Sequence, residues 1–342
     1  MRKMDKPTEQ QLRELYDAAM DFKEARPWKW LYGADLIGVE NPKDGEIGYC
    51  SVMGRSGVHF ALGVFLGTPG LASFNLLMSD AEMMPDYEAM RLQDAIMCSF
   101  EDREQLSAED RQEIRELGLR FRGGNAWPQF RRFEPGFYPW YVNQEECVFL
   151  THALRQTLFV ASQYRQRELD LAIDEGKIPL RYSETRDGQL VWQSRGFLLS
   201  IPVLEYEPVE FSNDLLVRQL RATKGKSNSI FEAEVCYLPA RIQEKKGERP
   251  YFSRAFILAD RKSGRIVDHS IYQGREDDAQ EVLDGMSRLF LSQGIPRKIR
   301  VRSERMVAIL EDFCQKTGVK LRVVPRLEKI EAFMEALEER VR

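Results

Sequence analysis

The stretch GIPRKIRVRSERM, Gly294 to Met306, decides how the last third of the chain is read. Residues of a strand alternate faces, so Ile299 and Val301 point one way while Lys298, Arg300 and Arg302 point the other. VKLRVV, Val319 to Val324, repeats the pattern, with Val319, Leu321 and Val323 opposing Lys320 and Arg322. Helical spacing precedes the first strand, from about Arg275 to Gln293, separates the two, from Glu304 to Lys316, and returns at the C-terminal end. Strands joined by one helical crossover lie parallel and adjacent, with a right-handed connection. The cations Lys298, Arg300, Arg302, Lys320 and Arg322 are therefore expected on one sheet face. A parallel sheet covered on both sides does not carry such a row. Either these side chains run past a packed domain and pair with its acids, or the face takes an anionic partner, nucleic acid or an acidic protein.

Working outward, three more strands come first: FEAEVCYL (231–238), SRAFILAD (253–260) and GRIVDHSIY (264–272). The order predicts a mixed-sheet α/β domain over residues 229–342. Three of its segments, FILADRKSGRIVDHSIY, GIPRKI and VVPRLEKIEAFMEAL, resemble the ribonuclease H-like fold of integrases and transposases. The resemblance covers about 90 residues and implies a centre in which carboxylates hold two Mg²⁺ ions. Position by position, Asp260 matches the first aspartate, at the end of what the resemblance makes the first strand, and Glu331 matches the final glutamate. The second aspartate falls on Arg302. A guanidinium about 4 Å from a metal ion costs several kcal/mol per unit of ion charge at an effective dielectric near 20, and it removes an oxygen ligand. The expectation is a domain with no metal and no cofactor that acts as a non-catalytic binding or scaffolding protein. The alternative is a Mg²⁺-dependent nuclease or polynucleotidyl transferase using Asp260, Glu304 and Glu331, with Glu304 substituting in a shifted register.

Residues 1–175 read as an α+β domain with an antiparallel sheet and helices. A helix over 8–25 puts Leu12, Leu15, Tyr16, Ala19 and Phe22 on one side. From Leu36 to about Met78 a four-stranded antiparallel meander is expected, with GRSG (54–57) and GTPG (67–70) as hairpin turns. SAED (107–110) and NQEE (143–146) are helix-opening capping boxes. Between the two helices lies WPQFRRFEPGFYPWY (127–141), read as an aromatic-basic loop in which Trp127, Arg131, Arg132 and Trp140 suit single-stranded nucleic acid, or plug a core. Residues 176–228 form a connecting region, with a hairpin turning at Asp187-Gly188 and a helix near 213–222. The stretch from Arg26 to Gly70, with the arginine-aromatic segment, resembles an uncharacterised bacterial protein family with no assigned activity, which implies no chemistry.

With 43% hydrophobic and 30% charged residues in 342, and no apolar run near 18, the composition is that of a folded globular protein rather than a membrane or disordered one. No apolar signal core opens the chain, so a cytoplasmic location is expected. Cys50, Cys98, Cys147, Cys236 and Cys314 lie far apart, as do His59, His152 and His269, which argues against zinc and against a disulfide framework. The net charge of −4 hides an uneven distribution: residues 251–342 carry about 18 basic and 15 acidic side chains.

Overall fold

The computed structural model describes residues 5–78, 86–166, 176–200, 202, 205–222 and 226–341. These divide into two units, each with its own sheet. The first takes described residues from 5–78, 93–135 and 139–202, and the second from 86–92, 136–138 and 205–341.

In chain order the elements are α1 (Glu9–Ala25), β1 (Ile37–Glu40), β2 (Ile47–Met53), β3 (Phe60–Leu66), α2 (Gly67–Met78), α3 (Asp86–Arg91), β4 (Ala95–Glu101), α4 (Ala108–Glu116), β5 (Trp127–Phe133), α5 (Gln144–Arg165), β6 (Lys177–Arg186) and β7 (Gln189–Leu198). All but α3 belong to the first unit, whose seven strands run β5-β4-β3-β2-β1-β6-β7. Every pair is antiparallel except β1 with β6. Helices α1 and α5 bury Leu15, Phe22, Leu150 and Leu154 against one face, while Leu71 of α2 packs with Tyr49 and Phe65 on the other. Full capping boxes start α1 at Thr8, α4 at Ser107 and α5 at Asn143, each satisfying otherwise orphaned backbone N–H groups.

Three sequence expectations are corrected here. The meander to Met78 has three strands, not four, because GTPG opens α2 instead of closing a hairpin. The first seven residues of the aromatic-basic loop, 127–133, are the strand β5, paired residue for residue with β4. Residues 177–198 extend the first sheet as β6 and β7. Their turn is as expected, with Asp187 at φ 50° and Gly188 at φ 76°, the two left-handed residues of a type I′ turn.

The second unit continues with α6 (Asp214–Ala222), β8 (Lys226–Ile242), β9 (Tyr251–Asp260), β10 (Ile266–Tyr272), α7 (Asp278–Gln293), β11 (Ile295–Val301), α8 (Glu304–Thr317), β12 (Lys320–Val323) and α9 (Glu328–Val341). Its strands run β10-β9-β8-β11-β12. The first three form an antiparallel meander, and β11 and β12 join parallel to β8. This mixed arrangement is the mixed-sheet α/β domain expected from the sequence. Helices α6, α7 and α8 cover one face through Leu220, Met286, Phe290, Leu310 and Phe313. Helix α9 covers part of the other, where Ile330 and Met334 meet Cys236, Ala255, Ile257 and Ala259. The topology corrects one correspondence. Asp260 ends β9, the second strand of the order, and the first, central strand is β8.

All five cysteines are free and buried, and burial pushes the Cys50 thiol up to about 12. Among the described residues no helix is long and apolar enough to cross a membrane.

Candidate functional site

The face of the second sheet that meets α9 carries the charged residues. Glu232 and Glu234 alternate with buried Phe231, Ala233 and Val235 along β8, and both carboxylates are almost wholly buried. Strand β11 sets Lys298 against Ile230 and Arg300 against Glu232 on one side. On its other side it sets Lys298 against Lys320 and Arg300 against Arg322. Glu232, Arg300 and Arg322 thus form one row across three strands.

Just past β11, Arg302 turns into a pocket of acids. Its Nη2 donates to Glu88 Oε2 at 2.6 Å, Nε stands 3.9 Å from Glu234 Oε2, and Nη1 stands 3.7 Å from Glu331 Oε1. Only 9% of the Arg302 side chain is exposed. Burial works against its charge, but Glu88, Glu234 and Glu331 outweigh that, so the guanidinium holds its proton more firmly than a free arginine. Burial pushes the Glu234 carboxyl above the usual glutamate range, with Arg302 pulling the other way and Glu88 adding to the rise. Ser303 joins the network by donating from Oγ to Glu234 Oε1 at 2.8 Å, and the same oxygen caps α8 at Met306 N. Glu331 also accepts from Arg326 Nε at 2.9 Å and from Leu327 N at 3.1 Å.

The three carboxylates singled out from the sequence do not converge. Asp260 is held in the β9–β10 turn by Ser263 N and Oγ, Glu304 is exposed in the first turn of α8, and Glu331 lies in the Arg302 pocket. Among the described residues no group of three or more His, Cys, Asp or Glu side chains is placed to hold a metal ion. The acids on this face include three that sequence reasoning left unread: Glu88 and Glu234 beside Arg302, and Glu232 beside Arg300. The EAE alternation inside FEAEVCYL was a signal for the last two, since a charge at every second position of an apolar strand needs partners. Nothing local marks Glu88, which lies 214 residues from Arg302.

Arg300 Nη1 approaches Glu232 Oε1 at 3.5 Å, and Glu232 Oε2 accepts from Lys329 N at the start of α9. Lys298, Lys320 and Arg322 differ: among the described residues none is in an ion pair with a carboxylate. Lys320 and Arg322 are exposed on an edge strand. Slight desolvation, then the charges of Arg322, Lys320, Arg297 and Arg300, lower the Lys298 ammonium from its ordinary value.

In the first unit Arg131 forks onto Asp110, at 3.0 and 2.5 Å, and lies over the Tyr141 ring. Arg132 pairs with Asp94 at 2.6 Å and Glu146 at 3.2 Å, and exchanges two backbone hydrogen bonds with Trp140. Trp127 meets Phe121 edge-on at 5.8 Å, and Trp140 meets Tyr141 at 5.2 Å. Both guanidinium groups are largely buried and carry internal carboxylate partners.

Residues 13–181 match a family described as a domain of unknown function, DUF7309, and residues 216–338 match a second described in the same terms, DUF6930. No curated protein matches the chain. Among solved structures, the HTLV-2 integrase catalytic core domain in complex with magnesium, in its trimeric form, is 16% identical over 32% of this chain and 65% of that chain, with a TM-score of 0.24. Its dimeric form is 17% identical over 29% and 61%, with a TM-score of 0.22. A chain of the simian T-cell lymphotropic virus intasome in complex with PP2A regulatory subunit B56 gamma is 12% identical over 34% and 42%, with a TM-score of 0.25. The matches span less than two thirds of each of those chains.

Proposed function

We propose that the second unit is a non-catalytic binding module that takes the phosphate backbone of a nucleic acid on the β11–β12 face, through Lys298, Lys320 and Arg322, with Arg300 behind them. The observation that carries this reading is the register: like charges stand directly opposite one another, Lys298 by Lys320 and Arg300 by Arg322. Directly opposed like charges destabilise a sheet; Glu232 answers Arg300 from inside, while Lys298, Lys320 and Arg322 have no carboxylate partner among the described residues and favour a counter-charge from outside. Lysine as a point charge and arginine as a fork both suit phosphate. The non-catalytic part is supported by Arg302, whose guanidinium stands among Glu88, Glu234 and Glu331 where the expected metal centre would need an oxygen ligand.

The test is fluorescence anisotropy of a labelled DNA duplex, and of the matching single strand, across a salt series. Binding is expected to fall steeply with salt, and the double variant Lys320→Glu/Arg322→Glu is expected to bind at least tenfold more weakly. Its log-log salt slope should be shallower by about 2, about one unit per lost phosphate contact. Equal affinity in parent and variant would remove the β11–β12 face as the binding surface. Divalent-metal-dependent cleavage of the same DNA, lost in Asp260→Asn, would replace the module with a nuclease.

A further inference from the structure

The first unit holds a second concentration of unpaired positive charge, with a different geometry. A cleft of about 540 Å³ opens where the end of α1, the turn after it, the β2–β3 hairpin and the loop before β5 meet. Lys23, Arg26, Lys29 and Arg55 line it, and no aspartate or glutamate does. Among the described residues none of these four is in an ion pair. In a chain whose net charge is −4, four cations from three segments share one concavity without a counter-ion.

Part of this has a local cause. Lys23 sits in the last turn of α1 and Arg26 caps it, and the negative end of a helix dipole attracts cations. That accounts for neither Lys29 nor Arg55, which arrive from other segments. Arg55 lies over the exposed Tyr32 ring at 3.8 Å. Lys23 is lowered from its ordinary value by burial and by the charge of Arg26.

The frame around the cleft is fixed. Arg26 and Asn125 hold φ of 54° and 49°, a conformation that favours glycine, and both line the cleft. The Arg26 N–H donates to Phe22 O, and the Asn125 N–H donates to Asp102 Oδ1 at 2.7 Å. Gly54, at φ 137°, presses the hairpin onto Trp28 so closely that a Cβ would stand 2.9 Å from Trp28 Cγ and 2.6 Å from Phe60 Cδ1. Such a frame places the cations before any ligand arrives, which lowers the ordering cost of binding.

We infer that this cleft binds the diphosphate group of a small molecule. Four positive charges match a compact polyanion better than a single carboxylate, and the volume falls in the range of small-molecule sites. The contact is independent of the β11–β12 face and of any nucleic acid taken there.

Isothermal titration calorimetry on the full chain tests it, with inorganic pyrophosphate, ADP and adenosine as the three probes. Pyrophosphate and ADP are expected to bind and adenosine is not. Affinity equal for the two phosphates identifies free diphosphate as sufficient, and tighter binding of ADP identifies a nucleotide as the occupant. The exposed pair Lys29→Ala/Arg55→Ala should weaken both at least tenfold while circular dichroism stays unchanged, and Arg13→Ala/Arg186→Ala, exposed cations of the first unit outside the cleft, should leave both as they are. The inference is overturned by the absence of pyrophosphate and ADP binding, by full affinity in the Lys29→Ala/Arg55→Ala variant, or by loss of binding in the Arg13→Ala/Arg186→Ala variant.

Discussion

Arg302 places its guanidinium among Glu88, Glu234 and Glu331 with almost no exposure to water. Removing one partner from a buried charge network leaves the rest uncompensated, which costs about 3–5 kcal/mol. Arg302→Ala is therefore expected to lose stability on that scale in urea unfolding at pH 8. The loss should shrink as the pH is lowered toward 5. The sign follows from Glu234, whose folded value is already raised by burial and rises further once Arg302 no longer opposes it. A group with a raised folded value contributes stability below its unfolded value and loses it as pH rises through the folded one. A variant as stable as the parent at pH 8 would show the pocket to be wet. Asp110 has the opposite sign. Burial alone would raise it, but the Arg131 fork and the Ser107 hydrogen bonds outweigh that and hold it below the usual aspartate range. Its contribution is present above the unfolded value of about 3.9 and is lost as pH falls through the depressed one. Arg131→Ala is expected to cost about 1.5–3 kcal/mol at pH 7, the worth of hydrogen bonds to a charged group, and to flatten the acid limb of a thermal-melt series. An unchanged acid limb would detach Arg131 from that role.

At the scale of elements, helix α2 shows how a turn signal and a helix signal compete. Glycines at both ends of GTPG read as a hairpin turn, yet Pro69 falls just inside the start of α2, where proline is well tolerated because its missing N–H has no partner to lose. What settles the contest is packing. A Cβ on Gly70 would lie 2.5 Å from the Phe65 carbonyl carbon and 2.8 Å from Asp94 O, so the helix rests directly on the backbone of its neighbours. Gly70→Ala is expected to destabilise by about 1–3 kcal/mol, the range for overpacking, even though alanine is the better helix former. A gain in melting temperature would mean that α2 does not rest there. Local alternation was enough to read β11, β12 and the β6–β7 hairpin, because one period carries each of them. The strand β5 was missed because Pro128, its aromatics, and Pro135, Gly136 and Pro139 just after it look like a loop until β4 supplies seven paired partners.

For the whole molecule, the order of elements in residues 226–341 was legible, since three strand periods are followed by helix and strand periods in alternation. The composition of the second unit was not. Glu88 and Arg91 come from a segment inside the N-terminal half, and they meet Arg302 and Glu338. No local pattern announces a pairing across such a separation. Residues 205–342 expressed alone are expected to unfold at a lower urea midpoint than the same unit in the full chain, because Arg302 and Glu338 each lose a buried partner. Equal midpoints would assign those pairs no weight.

The separation between Glu88 and Arg302 also has a meaning in time. The two are 214 residues apart. At a synthesis rate of about 5–20 residues per second, Glu88 leaves the ribosome roughly 10–40 s before the arginine that will neutralise it exists. The first unit has its last strand, β7, well before then, and its sheet can assemble around a segment that must stay unburied. On the nascent chain, the Glu88–Arg302 ion pair thus forms only after the first unit's strands have all been made.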